Sequence, residues 1–420
     1  MIKTAVLQPG ITLRCFQDDR FKTGSISIQL VRPLCREEAS HNALLSSVLL
    51  RGTETYPDLR RITLHLDDLY GATVGTLVRK VGDYHTTGFY CSFTEDRYAL
   101  SGDQILVPVI DFLQELLYRP KLENGIFCES FVEGEKRNLL AAIEAQKNDK
   151  RFYAATQLTK YMFSQDPTGV PRLGERDRIE KIESQDLYAH YQKILKESRI
   201  DVFYVGSRSP EEMANLLGAM FADASRDYVP LPPQTSFRDG GKTRNVDTMD
   251  VAQAKLQMGF IYPCTIDSPD FVPMQVLNAV LGGGMTGKLF VNVREKMSLC
   301  YDIGSSFQGS KGVLTVAAGM DTAQAEVVEQ EILRQIQKCR DGEITDAELH
   351  NARQSLISSL QGIHDSPSSI ENYYATGALS GLTLSTDEYT HQVQGTTLSR
   401  LAEMAKKLEL HSVYLLKGVQ

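Results

Sequence analysis

A glycine-rich loop, followed by a lysine, an arginine and a tyrosine, is the part of this sequence whose residue types could do chemistry. It lies between Val280 and Phe307, in VLGGGMTGKLFVNVREKMSLCYDIGSSF. Gly282 to Lys288 has the spacing G-x-x-x-x-G-K, in which backbone amides and a lysine ammonium bind phosphate groups. Arg294 and Tyr301 follow and can donate further hydrogen bonds. A phosphate-binding loop is therefore the first interpretation to test.

The phosphate interpretation fails on both sequence and context. Leu289 occupies the position of the serine or threonine that binds magnesium in such loops. The loop should also follow a strand, whereas an N-cap at Ser268, a first-turn proline and an apolar stripe predict a helix that ends at Gly282. We therefore expect no nucleotide site here; thermal stabilisation by magnesium and ATP would show the opposite.

The same order of hydrophobic patterns occurs twice along the chain. Ser25 to Arg32 alternates apolar and polar residues, which predicts a half-buried strand, and Ala43 to Leu50 predicts a helix after a short polar linker. Lys255 to Tyr262 predicts the corresponding second strand, again followed by an apolar helix. Strands and further helices follow in each case. The economical account is a tandem duplication of one α/β unit.

A change of composition separates the two copies. The segment from Ala224 to Lys242 contains three prolines and a glycine pair, which is typical of a linker. We predict an N-terminal half at 1–226, a linker at 227–245 and a C-terminal half at 246–420.

Composition excludes several classes of function. The net charge is −8 with no basic cluster, which argues against a nucleic-acid partner. There is no signal-peptide core and no run of 18 apolar residues, so we expect neither secretion nor a membrane span. The seven cysteines are widely spaced and never form C-x-x-C, which favours free, mostly buried thiols and a cytoplasmic location.

The segment LGGGMTGKLFVNVREKMSLCYDIGSSF resembles the C-terminal signature of insulinase/pitrilysin-type peptidases, the group that includes the mitochondrial processing peptidase. The resemblance extends over nearly the whole chain through ALLSSVLLRGT, LDDLYGA, DPTGVPRLGERDRIEKIESQDLYAHY and GEITDAELHNARQSLISSL. It implies an α+β fold of two homologous halves, each a mixed, largely antiparallel sheet flanked by helices, facing each other as a clamshell around a chamber.

The resemblance also assigns roles to two residues. It implies that Arg294 binds substrate backbone carbonyls and that Tyr301 donates its hydroxyl to a carbonyl near the scissile bond. On spacing alone, an exposed charged helix end and a tyrosine packed in a strand would be the simpler interpretation. The match of the surrounding residues favours the substrate-binding roles.

The zinc site of the active members is missing. They carry H-x-x-E-H on the helix that ends in the Gly-Thr turn, with two histidines on one helix face and a glutamate that activates the metal-bound water. Counting back from Gly52 and Thr53 places the histidines at Ala43 and Ser47 and the glutamate at Ser46, and the distal ligand falls at Ala142. None of these side chains replaces a zinc ligand. We interpret nearby His41 as a solvated or helix-capping residue of the linker.

These observations predict a non-catalytic, substrate-binding subunit of a heterodimeric zinc metallopeptidase. A sister chain would supply H-x-x-E-H and the zinc, and this chain would supply Arg294 and Tyr301 and bind no metal. The substrate would be a peptide or a small unfolded protein, bound by strand addition at a sheet edge. The alternative is a non-enzymatic scaffold or peptide-binding homodimer, like the core subunits of respiratory complexes, that is indifferent to Arg294.

Overall fold

The computed structural model describes residues 2–222 and 224–418. They form two compact units, each assembled from three stretches of chain. Unit 1 comprises Met1–Ile143, Val170–Pro233 and Ile363–Leu379, and unit 2 comprises Glu144–Gly169, Gln234–Gly362 and Ser380–Gln420. The units are therefore discontinuous, whereas the predicted halves at 1–226 and 246–420 are contiguous.

The strands of the described residues are β1 (Lys3–Gln8), β2 (Ile11–Gln17), β3 (Thr23–Pro33), β4 (Thr73–Val81), β5 (Tyr84–Thr94), β6 (Leu122–Glu123), β7 (Ile126–Phe127), β8 (Arg199–Gly206), β9 (Thr243–Met249), β10 (Ala254–Ile261), β11 (Asp302–Gln308), β12 (Val313–Met320) and β13 (Glu409–Gly418).

The α-helices of the same residues are α1 (Arg36–Leu49), α2 (Leu59–Asp68), α3 (Leu106–Tyr118), α4 (Glu129–Gln146), α5 (Lys150–Met162), α6 (Arg176–Ile179), α7 (Ser184–Glu197), α8 (Pro210–Phe221), α9 (Phe271–Leu281), α10 (Ala325–Arg340), α11 (Asp346–Gly362), α12 (Pro367–Ser380), α13 (Thr386–Gly395) and α14 (Leu398–Lys406). A π-helix occupies Leu289–Lys296. None of these helices is long and apolar enough to cross a membrane.

The two large sheets have the same topology. The sheet of unit 1 has the order β1-β2-β8-β3-β5-β4, and that of unit 2 has the order β11-β12-β10-β13-β9. When the second order is written in reverse, β9, β13, β10, β12 and β11 take the places of β2, β8, β3, β5 and β4. Parallel pairing occurs at the matching positions, between β2 and β8 and between β9 and β13, and the other pairs are antiparallel. The prediction of α+β halves with mixed, largely antiparallel sheets is confirmed.

Strand β3 is buried on both faces, so the prediction of a half-buried strand is wrong. Its apolar residues, such as Ile26 and Ile28, belong to the main core of unit 1. The polar residues of the opposite face are buried as well, because α12 covers them. Ser27 Oγ and Gln29 Nε2 donate to Oε1 of Glu371 on α12, at 2.7 and 3.0 Å. The alternation of apolar and polar residues predicts which side chains share a face of the strand. It cannot predict that a distant helix buries the polar face.

Helix α5 packs on the sheet of unit 2, as α12 packs on the sheet of unit 1. Ala154 and Leu158 pack with Tyr414 and Leu416 of β13 in one buried cluster. The helix also lies close to β10, since a Cβ atom on Gly259 would be 2.5 Å from the sulfur of Met162. Helices α5 and α12 hold equivalent places in the chain order of the two copies, the third helix after β5 and after β12. The two units have thus exchanged equivalent helices.

Two predicted helix starts are wrong. Helix α1 begins at Arg36, so His41 lies inside the helix and not in a linker. The acidic residues of its first turn, Glu37 and Glu38, suit a helix N-terminus and allow this earlier start. Helix α9 begins at Phe271 with Asp270 at its N-cap, so Ser268 lies two residues before the N-cap, where its hydroxyl accepts from the Asp270 amide. Its predicted end at Gly282 is confirmed.

Candidate functional site

The positions that correspond to the zinc motif provide no metal ligands. Ala43 is 3% exposed on α1, Ser46 is buried and Ser47 is half-buried. The Ser46 hydroxyl has no hydrogen-bond partner in the described part of the chain. Ala142 is exposed on α4. Across residues 2–222 and 224–418, no group of three or more histidine, cysteine, aspartate or glutamate side chains could hold a metal ion.

Helix α1 contributes instead to a chain of neutral hydrogen bonds. His190 Nε2 lies 2.8 Å from Oδ1 of Asn42, the Asn42 amide nitrogen lies 3.2 Å from Nδ1 of His85, and His85 Nε2 lies 2.9 Å from the carbonyl of Arg172. A carbonyl only accepts, so His85 carries its proton on Nε2 and accepts from Asn42 at Nδ1. Asn42 then accepts from His190. Both histidines of this series of hydrogen bonds can therefore be neutral.

Burial keeps these histidines uncharged. Desolvation lowers the pKa of His85 to about 4 and that of His190 to about 3, and His41, whose ring lies 5.2 Å from that of His190, also has a lowered pKa through burial. Sequence reasoning missed this series of hydrogen bonds because its residues are far apart in the sequence. Its role is structural, since the hydrogen bonds are satisfied within unit 1.

The glycine loop and the π-helix position Arg294. The loop follows Gly282, and the buried side chains of Leu289 and Val293 anchor the π-helix in unit 2. The helix ends at Lys296, and two residues later comes Ser298, a non-glycine residue with φ of 52°. Its amide donates to the Arg294 carbonyl at 3.1 Å. Such wide helical turns are rare and occur frequently at functional sites.

The guanidinium of Arg294 is accessible and free of hydrogen bonds to the described residues. Its side chain is 40% exposed, and its nearest carboxylate is that of Glu295, at 3.5 Å. The guanidinium carbon lies 4.6 Å from the ring centroid of Phe290, which supports the side chain from one side. A planar group with five donors is therefore available to a ligand.

Tyr301 lies immediately before β11. Its amide donates to the Gly319 carbonyl at 2.8 Å, and its ring is 51% exposed. The hydroxyl donates to Oδ1 of Asp321 at 2.9 Å. This hydrogen bond and the charge of Asp321 raise the pKa of the phenol above its ordinary value. Donation to a substrate carbonyl, the role that the resemblance implies, would require this hydrogen bond to be exchanged.

One cleft of about 410 Å³ in unit 2 contains both residues. Its lining consists of Arg294, Glu295, Ser298, Leu299, Cys300, Tyr301, Asp321 and Gln324. The structure therefore brings Arg294 and Tyr301 together. Sequence reasoning missed Asp321, although its position as the first residue after β12, opposite the start of β11, could have drawn attention to it.

Lys288 does not face a phosphate site. Its side chain is buried, its ammonium donates to the Glu343 carbonyl at 2.6 Å, and the Glu348 carboxylate lies 2.8 Å away. Binding a phosphate would require both interactions to break. The lysine of the G-x-x-x-x-G-K pattern thus ties the loop to the start of α11.

Comparison with known proteins shows which families and proteins this chain is similar to. A family model described as "Peptidase M16 inactive domain" matches residues 181–356, a range that includes Arg294 and Tyr301. The "Probable inactive metalloprotease YmfF" of Bacillus subtilis (strain 168) is 26% identical over 411 residues, 98% of this chain and 96% of that protein. The chain therefore resembles the inactive domain of M16 peptidases over residues 181–356, and the inactive metalloprotease YmfF over nearly its whole length. The predicted resemblance to insulinase/pitrilysin-type peptidases is thereby confirmed.

Two further similar proteins cover nearly the whole chain or all of it. The "Uncharacterized zinc protease YmxG" of Bacillus subtilis (strain 168) is 22% identical over 418 residues, 97% of this chain and 96% of that protein. A solved structure, "Crystal structure of a conserved protein from Enterococcus faecalis V583", has a TM-score of 0.91 at 26% identity and covers 100% of this chain and 99% of its own. The inactive-domain match and the relative named as an inactive metalloprotease thus show a likeness to non-catalytic members of the M16 family.

Proposed function

We propose that this chain is the substrate-binding subunit of a heterodimeric zinc metallopeptidase that acts on peptides or small unfolded proteins. The single observation that carries the proposal is the cleft of unit 2, in which Arg294, without a hydrogen bond to the described residues, lies beside Tyr301. The residues of this chain at the zinc-motif positions offer no metal ligands. A sister chain with H-x-x-E-H supplies the zinc and the general base.

The edge of the sheet next to the cleft suits an extended peptide. Strand β11 is an outer strand of its sheet, and Tyr301 directly precedes it. A peptide aligned with the start of β11 passes the guanidinium of Arg294, which donates to its backbone carbonyls. These contacts orient the substrate, and the hydrolytic chemistry belongs to the sister.

Two observations support the heterodimer and its location. Bacillus subtilis has both a relative named as an inactive metalloprotease and one named as a zinc protease, so one organism holds both types of chain. The seven cysteines of this chain are free, and six of them are buried, which fits a reducing cytoplasm.

The test is peptide cleavage by this chain, by an H-x-x-E-H sister and by their mixture, with bound zinc measured in each. We expect cleavage only in the mixture and zinc only in the sister. In the mixture, Arg294→Ala should lower kcat/KM by about 10- to 100-fold, since a charged donor to a substrate oxygen is worth about 1.5–3 kcal/mol. Tyr301→Phe should lower it by less, because the Tyr301 hydroxyl is uncharged and already donates to Asp321.

Arg334→Ala is the matched control, because Arg334 is an exposed arginine of the same unit outside the cleft. It should leave kcat/KM unchanged. Full activity of the Arg294→Ala mixture would contradict the proposal. A stable homodimer that cleaves nothing with any sister, and that is indifferent to Arg294, would favour the scaffold alternative.

A further inference from the structure

The hydroxyl of Tyr301 presents an acceptor, and not a donor, to the cleft. An ionised carboxylate offers only acceptors, so the shared proton of the 2.9 Å hydrogen bond belongs to the phenol and points at Asp321. The remaining lone pairs of the phenol oxygen and the second oxygen of Asp321 are left for a ligand. A ligand that meets them must bring hydrogen-bond donors.

The charges of the cleft favour the same kind of ligand. Of the three charged side chains in the lining, Arg294 and Glu295 lie 3.5 Å apart and offset each other. Asp321 makes no ion pair within the described chain, and its one side-chain partner there is the uncharged phenol of Tyr301. The cleft therefore has one donor group, Arg294, and one uncompensated negative charge beside a phenol oxygen.

We infer that the cleft selects peptides with a basic side chain, whose ammonium or guanidinium binds Asp321 and the phenol oxygen of Tyr301 while Arg294 binds a neighbouring backbone carbonyl. This inference rests on the proposed function, since it names the class of peptide that the same site takes. An acidic side chain in this place would face the carboxylates of Asp321 and Glu295 and would be repelled. An apolar side chain would leave Asp321 without a charged partner.

The inference is tested by the binding of two fluorescently labelled peptides to the full-length chain. The peptides are extended and identical, except that one carries a single lysine where the other carries glutamine. We expect the lysine peptide to bind the wild-type chain about three- to tenfold more tightly, the range for a partly exposed charge-assisted hydrogen bond. This preference should decrease as salt is added, because the charges are accessible to solvent.

Substitution Asp321→Asn should reduce the preference for the lysine peptide to less than about twofold. Asparagine also suits the N-terminal position that Asp321 holds before the short 3-10 turn Thr322–Gln324, so the variant is expected to fold. Glu326→Gln is the matched control, because it removes an exposed acid five residues away, outside the cleft, and should preserve the preference.

The outcomes separate the inference from the proposed function. Equal binding of the two peptides by the wild-type chain, with loss of both on Arg294→Ala, overturns the basic preference and keeps the peptide site. A lysine preference that survives Asp321→Asn overturns the role of Asp321. Absence of binding by either peptide, to the chain alone or to its complex with the sister, overturns the proposed function and the inference together.

Discussion

At the scale of single residues, the hydrogen bonds that join His190, Asn42 and His85 couple the stability of unit 1 to pH. A histidine in an unfolded chain has a pKa of about 6.5, whereas the folded values are about 3 for His190 and about 4 for His85. Between pH 6.5 and 4 the unfolded state therefore binds protons that the folded state does not. The contribution of these neutral histidines is fully present above pH 6.5 and is lost as the pH falls below it.

We predict that the free energy of unfolding decreases as the pH is lowered from 7.5 to 5, as measured by urea denaturation. Replacing His190 by glutamine, which can still donate to Asn42, should reduce the slope by up to about 1.4 kcal/mol per pH unit. The exposed His391 provides the control, since His391→Gln should keep the wild-type slope. Identical slopes for wild type and His190→Gln would rule out this coupling.

A buried ion pair fixes the end of the proline-rich segment to unit 2. Lys311 and Asp166 have fully buried side chains, 3.1 Å apart. The Lys311 ammonium also donates to the Thr235 carbonyl at 2.9 Å, and Asp166 accepts from the amide of Arg238 at 3.1 Å. Each charge depends on the other, because burying either one without its partner would cost free energy of folding.

Substitution Lys311→Met should destabilise unit 2 by about 3–5 kcal/mol, since it leaves the Asp166 carboxylate buried without its cation. The double variant with Asp166→Asn should lose less than the sum of the single variants. Lys147→Met, at an exposed ion pair with Glu144, should cost less than about 1 kcal/mol. Chemical denaturation of the wild type and the four variants measures these differences. Additive losses at Lys311 and Asp166 would mean that the two do not act as a pair.

At the scale of elements, Glu371 attaches α12 to the sheet of unit 1. Besides Ser27 and Gln29, its carboxylate accepts two hydrogen bonds from Arg79 of β4, at 2.7 and 3.0 Å. The side chain of Glu371 is 2% exposed. One carboxylate thus satisfies polar groups on two strands of the sheet.

Removal of this carboxylate should detach α12 before the rest of unit 1 unfolds. We predict that Glu371→Ala lowers stability by about 3–5 kcal/mol and that Glu371→Gln costs less, because the amide oxygen still accepts. Limited proteolysis should show faster cleavage between residues 362 and 381 in the alanine variant. Asn372→Ala, an exposed change on the same helix, should match wild type in both measurements; equal protection of α12 in Glu371→Ala would contradict this role.

The elements differ in how far sequence could predict them. Strands such as β10 follow from their alternation, and the capping box of Thr345 and Glu348 follows from the spacing T-x-x-E, because these signals are local. The burial of Ser27 and Gln29 depends on Glu371, more than three hundred residues away, and no local pattern contains that information. Likewise, the resemblance led to Arg294 and Tyr301, whereas Asp321 depends on the pairing of β11 with β12.

At the scale of the whole molecule, each unit contains a helix from the other half of the chain. Unit 1 includes α12, which follows the proline-rich segment, and unit 2 includes α5, which precedes it. A cut between the predicted halves therefore deprives each sheet of a helix. Residues that these helices bury, such as Gln29 and Leu416, would become exposed.

We predict that fragments 1–226 and 227–420 are unstable when produced separately and form a folded complex when produced together. Circular dichroism should show cooperative unfolding only for the complex, and native mass spectrometry should show a one-to-one assembly. An intact chain cut within the proline-rich segment after folding provides the control and should stay associated. Cooperative unfolding of either fragment alone would show that its sheet does not need the exchanged helix.

The late position of α12 also constrains synthesis on the ribosome. The strands of the first sheet have all been made once Gly206 is added, but α12 ends at Ser380. At about 5–20 residues per second, roughly ten to thirty-five seconds separate these two events. During that interval the nascent chain displays the face of β3 that Glu371 will later cover. A ribosome that stalls before Ser380 should therefore leave a chain that recruits chaperones or proteases, although its first sheet has been completely translated.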